Sequence, residues 1–226
     1  MTETKIDGRF TFSKPVTLIT FKDDLFEPRP FERAGVAKGE PKYGSRFLVP
    51  LTDAELVAQI KAKAAEVARL KWPGRPLNEL LFPFKNGDTL YSKKQAELTA
   101  AGKPDEKRND FYKGQFVVIA RSKYPPVLSA LENGKVVEYG PAKRQALKAR
   151  LYSGALVVPS LNLVPYDGGS NQDGVTAYLD QLLWYGGGKQ LMGHKSATEV
   201  FRGFQGQASA ENPMAGAIAL DDDIPF

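Results

Sequence analysis

Aromatic and basic side chains are neighbours at several places in this sequence. An aromatic ring can stack on an unpaired base, which is worth about 1–3 kcal/mol per base, and Lys or Arg can neutralise the phosphates between the bases. The combination therefore indicates chemistry suited to single-stranded nucleic acid. The residues predicted to supply it are Tyr43, Arg46, Phe111, Tyr112, Lys113, Arg121, Lys123, Tyr124, Lys143, Arg144, Arg150, Tyr152 and Trp184.

Taken singly, an aromatic residue in a strand is more often a core residue than a binding residue. We assign Phe47, Phe116 and Trp72 mainly to the core, because apolar residues flank each of them. Tyrosine is the better candidate for stacking, since its hydroxyl tolerates water at the rim of a groove.

Basic residues are concentrated in the body of the chain. The 226 residues include 31 Lys and Arg and 26 Asp and Glu, a formal net charge of +5. The last sixteen residues, 211–226, hold four acids and no base, so residues 1–210 carry 31 bases and 22 acids, a net charge of +9. A basic body with an acidic end indicates a domain that binds a polyanion. Basic residues that only keep the surface soluble are the alternative.

The sequence offers little to catalysis or cofactor binding. It has no cysteine and one histidine, His194, which excludes disulfides, thiol nucleophiles and His-rich metal centres. Gly186–Gly188 lacks the spacing of a phosphate-binding P-loop. We therefore predict a non-enzymatic protein without cofactor or metal. Adjacent acids such as Asp23 and Asp24 leave a metal-dependent nuclease as a weaker alternative.

The residues that could bind nucleic acid must be positioned mainly by strands. Predicted strands cover Arg9–Phe21 with a break at Pro15, Tyr43–Val49 and Phe111–Arg121, and predicted hairpins cover Val127–Tyr139 and Leu151–Tyr166 with Gly174–Tyr185. The clearest helix begins at a Thr52 cap with Glu55 in a capping box, continues through apolar Leu70 and ends near Trp72.

Three segments between these elements are predicted to lie outside the strands. Asp23–Lys42, with three prolines, is predicted to be a loop or an edge excursion, and Lys85–Asp110 is predicted to be an exposed charged excursion. Pro141–Arg150 is predicted to form a short basic helix.

The C-terminal end carries the most specific motif, and it follows a stretch rich in Gly, Ala, Ser and Asn. The motif closely resembles the C-terminal tip of bacterial single-stranded DNA-binding proteins. That resemblance implies a ring that enters an apolar pocket of a replication or recombination protein, a terminal carboxylate that pairs with a basic rim, and aspartates that steer the encounter. The residues concerned are Asp221, Asp222, Asp223, Ile224, Pro225 and Phe226.

The body is longer than the bacterial proteins and resembles phage-encoded single-stranded DNA-binding proteins. The resemblance is carried by Tyr152–Gly154 leading one strand and Gly174-Val175 leading another after a Gly-rich loop. It implies a mainly β (α+β) fold, in which residues 1–204 form a five-stranded OB-fold barrel with a long helix and loop insertions. Residues 205–226 are then a disordered linker and an acidic recruitment tail.

Together these features predict a sequence-independent single-stranded DNA-binding protein that acts in phage DNA replication, recombination or repair. A strand-annealing recombination protein is the alternative from another class. No apolar run reaches the roughly 18–20 residues of a membrane helix, and the first ten residues lack the core of a signal peptide. We therefore expect a soluble protein of the host cytoplasm that does not bind membranes, and self-association on DNA stays open.

Overall fold

The computed structural model describes residues 6–21, 24–33, 36–105, 107, 109–169 and 172–191. The strands are β1 (Arg9–Thr11), β2 (Val16–Ile19), β3 (Arg29–Arg33), β4 (Val36–Pro50), β5 (Phe84–Asn86), β6 (Gln115–Ser122), β7 (Val127–Glu132), β8 (Lys135–Tyr139), β9 (Leu156–Tyr166) and β10 (Gly174–Gly186). The helices are α1 (Ala54–Lys71) and α2 (Gly87–Ala100), with 3-10 turns at Leu77–Glu79, Asp110–Tyr112 and Arg144–Leu147.

The strands form one continuous sheet that curves into a barrel. Its order is β5-β6-β4-β2-β9-β10-β7-β8, with antiparallel pairing except between β10 and β7. Because only Lys123–Pro126 separates β6 from β7, these two strands act as one interrupted strand, and the sheet closes into a barrel. With β6 and β7 counted together, β2, β4, β6/β7, β9 and β10 make the five-stranded barrel of an OB-fold. The prediction of a mainly β fold with helical insertions is confirmed.

The barrel interior is filled by side chains that alternate along the strands. Phe47 and Val49 of β4, Val118 of β6 and Leu161 of β9 point inward and are at most 1% exposed. Helix α1 belongs to the same cluster, because its buried residue Ile60 packs there. The outward residues of β4 and β6 are therefore left to make contacts outside the barrel.

A second, smaller apolar cluster lies on the outside of β2, β4 and β6. It consists of Ile19, Leu48, Tyr112 and Val117, with residues of α2 and Leu191 packed against it. This cluster covers one end of the outer surface of these strands.

Helix α1 is confirmed over nearly its whole predicted length, with two corrections. Its N-cap is Asp53 and not Thr52, because the Asp53 carboxylate accepts the bond from the Leu56 amide. The sequence predicts Leu70 on the apolar face, yet this residue is 53% exposed on the last turn of the helix. The C-terminal cap is Trp72, where the sequence predicts the end.

Of the two alternatives predicted for Asp23–Lys42, a loop or an edge excursion, the described part forms an edge excursion built from strands and not a loop. Strand β3 pairs with the first half of β4 to form a two-stranded ribbon. Since β3 has no second partner among the described residues, prolines are tolerated there, and the register shifts at Pro30.

Lys85–Asp110 is predicted to be an exposed charged excursion, and α2, which occupies most of it and is largely exposed, was not predicted. Asn86 caps this helix through its side-chain oxygen, which accepts bonds from the Asp88 and Thr89 amides. Only Gly87 is buried, so the helix has little apolar periodicity to reveal it. Both predicted hairpins are confirmed, and Asn133 and Gly134 form the first turn with φ of 49° and 75°. In the described residues, neither helix is long and apolar enough to cross a membrane.

Candidate functional site

Two arginines lie side by side on the outer surface of the barrel. In the pairing of β4 with β6, Arg46 is opposite Ile119 and Gly44 is opposite Arg121. The neighbours Phe47, Val118 and Ala120 point into the core, so Arg46 and Arg121 point outward. We call the surface formed by Gly44, Arg46, Ile119 and Arg121 the outer face.

Arg46 is held in place by two aromatic side chains. Its Nη1 donates a hydrogen bond to the hydroxyl of Tyr112, and its guanidinium carbon is 4.9 Å from the centre of the Phe21 ring. Tyr112 is itself 2% exposed and anchored in the outer apolar cluster. The Arg46 guanidinium is therefore pre-organised, which reduces the entropy lost when it binds an anion.

Arg121 lies in an environment that favours binding of a negative charge. The pKa of Arg121 is below its ordinary value, first because burial disfavours the charged guanidinium and second because Arg46 repels it. Arginine stays protonated even so, since its ordinary pKa exceeds about 12. An anion between the two guanidiniums would offset both costs.

A cavity lies beside each arginine. The first, of about 340 Å³, is lined by Phe21, Arg46 and, from α2, Lys94 and Leu98. The second, of about 290 Å³, is lined by apolar Leu81–Pro83, by Ile119 and Arg121, and by Tyr166. Phe21 and Tyr166 are each 36% exposed. The outer face therefore has a cation pair at its centre, with an aromatic ring and a cavity on each side, of which the cavity beside Arg46 is also lined by polar Glu97 and Asn109 and the one beside Arg121 is mainly apolar.

One carboxylate, that of Asp173, makes hydrogen bonds close to Tyr166. Asp173 accepts hydrogen bonds from the Arg75 guanidinium and, at 2.6 Å, from the Gly168 amide. The Arg75 bond is the main reason that the pKa of Asp173 is lowered, with the Gly168 amide second, so the carboxyl stays ionised. Tyr166 stands at the end of β9, two residues before the Gly168 amide that Asp173 holds.

Three of the sequence-predicted residues lie at or next to the outer face. Arg46 and Arg121 are part of it, and Tyr112 lies beneath Arg46. The Tyr112 ring has no face free for stacking, so we assign it to positioning Arg46. Phe111 contacts the Tyr112 ring with centroids 4.5 Å apart, and Lys113 lies 4.2 Å from the Tyr91 ring centre and pairs with Asp110.

A second set of predicted residues lies near the root of the β3–β4 ribbon. The Arg144 guanidinium carbon is 5.8 Å from the Tyr43 ring centre, and its Nη2 donates to the Leu25 carbonyl at 2.6 Å. Lys143 is exposed in the same short helical turn. The prediction of a short basic helix there is confirmed as a 3-10 turn. Lys123 pairs with Glu40 of the ribbon at 3.3 Å, and Tyr124 is exposed.

A third set lies on the β7–β10 side of the barrel. The Arg150 guanidinium carbon is 5.0 Å from the Trp184 ring centre. The Tyr152 hydroxyl donates to the Gly188 carbonyl at 2.8 Å and accepts from the Gly188 amide at 3.1 Å. These residues are engaged in holding β10 and the segment that follows it, and the structure does not bring them to the outer face.

Sequence reasoning missed several residues of the outer face and its cavities, notably Phe21, Tyr166, Ile119 and Lys94. Phe21 and Tyr166 are aromatics at strand ends beside predicted loops, which is where binding residues are often placed. Lys22 follows Phe21 directly, so an aromatic–basic pair was a signal that could have identified Phe21. Tyr166 has no basic neighbour in the sequence, and only its position at a strand end could have identified it.

The predicted recruitment residues 221–226 lie outside the described residues, as does His194. Among the described residues, no group of three His, Asp or Glu side chains could hold a metal ion.

Comparison with known proteins places this fold among phage proteins. A family model described as the ssDNA-binding protein of Enterobacter phage Enc34 matches residues 19–213. Protein p50 of Acyrthosiphon pisum secondary endosymbiont phage 1 is 25% identical over 170 residues, which cover 75% of this chain and 80% of p50.

Two solved structures of the bacteriophage Enc34 single-stranded DNA-binding protein are similar to this one. The complex with ssDNA has a TM-score of 0.57 at 16% identity, covering 83% of this chain and 96% of that one. The C-terminal truncation has a TM-score of 0.56 at 16% identity, covering 83% and 95%. At these identities the likeness shows the fold.

Proposed function

The chain belongs to the ssDNA-binding protein family described for Enterobacter phage Enc34, and from this premise we propose that it binds single-stranded DNA without sequence preference across its outer face. The observation that carries the proposal is the Arg46–Arg121 pair between two aromatic-edged cavities. Family membership supports a binding protein and not an enzyme.

The position of the outer face in the barrel supports this assignment. β4 and β6 are the second and third barrel strands, and OB-folds bind oligonucleotides on the face of these strands and with the loops between strands one and two and strands four and five. Here those loops are the β3–β4 ribbon and the turn after Tyr166. Phe21 and Tyr166 border the outer face on two sides, so bases on both sides of the arginines could each stack on an aromatic ring.

The chemistry of the outer face favours single strands over duplexes. Stacking on Phe21 and Tyr166 needs bases whose faces are open, which a duplex does not offer, and stacking is tolerant of sequence. Arg46 and Arg121 would contact the phosphates between the stacked bases, which makes affinity depend on salt.

Fluorescence anisotropy of a labelled oligo-dT tests the proposal. We expect tight binding at low salt, a linear fall of the logarithm of affinity with the logarithm of salt concentration, and much weaker binding to a duplex of equal length. Absence of binding to oligo-dT at low salt would contradict the proposal.

The Tyr112→Phe substitution isolates the positioning of Arg46. It removes the hydroxyl that accepts the Arg46 bond but keeps the buried ring, so we expect an unchanged melting temperature within about 2 °C and an affinity for oligo-dT lower by roughly three- to tenfold. The salt slope should stay as in the unmodified protein, because no phosphate-binding charge is lost. A fall in melting temperature with unchanged affinity would show that the hydroxyl is merely structural.

We further propose that residues 205–226 act as a linker and recruitment tail beside a binding domain of residues 1–204. The support is the terminal Asp221–Phe226 motif and the contrast between the acidic tail and the +9 body. The tail would recruit replication or recombination proteins during phage DNA replication, recombination or repair in the host cytoplasm, and when unoccupied it would compete with DNA for the basic outer face.

Deletion of residues 211–226 separates the two roles of the tail. The deletion removes four negative charges, so we expect affinity for oligo-dT to be equal or higher. Deletion of Phe226 alone should leave DNA binding unchanged and abolish capture of replication proteins that the full chain captures. A large loss of DNA affinity in the 211–226 deletion would contradict the competing role.

A further inference from the structure

Strand β8 forms a free edge of the sheet. It pairs with β7 on one side, and no described residue pairs with its other side. A free edge presents unpaired backbone donors and acceptors that can pair with another strand. Two apolar side chains add to the exposed surface, since Val136 and Val137 are 63% and 39% exposed.

Side-chain contacts fix the conformation of the β7–β8 hairpin that carries this edge. The Tyr139 hydroxyl donates to Glu132 Oε1 at 2.6 Å, and Arg150 Nη1 donates to the same oxygen at 2.8 Å. These two bonds, that of Tyr139 first, lower the pKa of Glu132. Arg150 in turn lies over the Trp184 ring of β10, which ties the hairpin to the barrel. An edge that is already ordered loses little entropy on binding a partner.

Hairpin geometry determines which backbone groups point outward. The turn at Asn133 and Gly134 has two residues, so Glu132 and Lys135 exchange backbone bonds across it. Because the backbone groups of successive residues in a strand point alternately to its two sides, those of Lys135, Val137 and Tyr139 point to β7. The N–H and C=O groups of Val136 and Glu138 point to the free edge.

We propose that β8 pairs antiparallel with β8 of a second copy of this chain, about a two-fold axis at Val137. Val136 then exchanges backbone bonds with Glu138 of the partner subunit, and Val137 lies opposite Val137 of the partner subunit. Lys135 lies opposite Tyr139 of the partner subunit. The Tyr139 hydroxyl donates a hydrogen bond to the Glu132 carboxylate. No like charges are opposite each other, and the aliphatic and cation–aromatic pairs are favourable.

We expect this contact to be weak and to join two copies only. A five-residue edge buries less than the roughly 1,200 Å² of a stable interface, so free protein stays mainly monomeric. Two copies on one DNA strand have a high effective concentration, and the contact then forms. Because the two-fold pairing is closed, it joins copies in pairs and not in chains. The coupling on DNA rests on the proposed function, whereas the β8 contact does not.

A single introduced cysteine tests the contact. The sequence has no cysteine, and Val137 and its counterpart form a non-hydrogen-bonded pair, with Cα atoms about 4.5 Å apart, which a disulfide can span. Under mild oxidation, we expect Val137→Cys to give cross-linked dimer at least about tenfold faster than the matched control Leu70→Cys on α1. Oligo-dT long enough to bind two copies should accelerate the cross-linking of Val137→Cys further. Oligo-dT that can bind only one copy should not.

Proline at position 138 provides the second variant. In the Val137→Cys background, Glu138→Pro removes an outward N–H without removing a β7–β8 bond, so the fold tolerates it and the cross-linking rate should fall to that of the control. Glu138→Gln should keep the fast rate. Equal rates for Val137→Cys and Leu70→Cys, or a fast rate that survives Glu138→Pro, would overturn the proposal.

Two further measurements complete the test. If the thiol introduced by Val137→Cys resists a small thiol reagent in the monomer, another segment of this chain covers β8, and that result also overturns the proposal. Anisotropy with oligo-dT, measured on every variant, shows separately whether DNA is bound. If the variants do not bind DNA, the cross-linking rate of concentrated protein without DNA still tests the β8 contact.

Discussion

Replacement of both Arg46 and Arg121 by alanine should lower the affinity for single-stranded DNA by about two orders of magnitude or more. Each substitution removes a charge-assisted contact worth roughly 1.5–3 kcal/mol. The slope of log affinity against log salt should become shallower by about 1.4, since each phosphate contact to a single strand contributes about 0.7. Anisotropy titrations at several salt concentrations give both quantities.

The matched control removes two arginines elsewhere. Arg9 on β1 and Arg69 on the exposed side of α1 lie outside the outer face, so the Arg9→Ala, Arg69→Ala double variant changes the net charge equally. We expect it to keep most of the affinity. A loss equal to that of the Arg46 and Arg121 variant would mean that binding depends on net charge alone and not on this pair.

The Arg46→Lys variant separates charge from shape. Lysine keeps the positive charge but can neither lie flat on the Phe21 ring nor hold the same fork geometry. The salt slope should therefore be retained while affinity falls to an intermediate value. A salt slope as shallow as that of the alanine variant would show that the lysine does not reach the phosphate.

Removal of the aromatic rings should have the second-largest effect. Tyr166→Ala and Phe21→Ala should each lower affinity for oligo-dT by about 10- to 100-fold, because one stacked base is worth roughly 1–3 kcal/mol. The salt slope should not change, since no cation is removed, and this distinguishes stacking from phosphate binding. Tyr166→Ala is the cleaner variant, because Phe21 also supports Arg46.

Conservative substitutions and a distant tyrosine complete that experiment. Tyr166→Phe should bind as the unmodified protein does, since the ring is retained. Tyr185, which is 48% exposed on β10, is the control, and Tyr185→Ala should lose little affinity. If Tyr166→Ala and Tyr185→Ala have equal small effects, the second cavity is not a stacking site.

The sequence was sufficient to predict the elements whose signals are local. Helix α1 has apolar residues at regular helical spacing, and the first hairpin has an Asn133-Gly134 turn that favours positive φ. Helix α2 was missed because nearly all of its side chains are at least partly exposed, so its apolar residues form no clear stripe.

The candidate site could be predicted only in part, because it depends on pairing between distant segments. Arg46 and Arg121 were each identified from an aromatic neighbour, but their adjacency follows from the register of β4 with β6. Tyr112 has the same local pattern, yet a 3-10 turn places its ring under Arg46. Phe21 and Tyr166 lie far apart in sequence and meet the same surface only in the closed barrel.

Photo-cross-linking of an oligo-dT that carries 4-thiothymidine tests most directly where the DNA binds. We expect mass spectrometry of the cross-linked peptides to identify Phe21 and Tyr166 and the neighbouring residues of the two cavities, with cross-links that disappear at high salt. Cross-links confined to Trp184, Tyr152 or Tyr124, with none on the outer face, would contradict binding of DNA across that face.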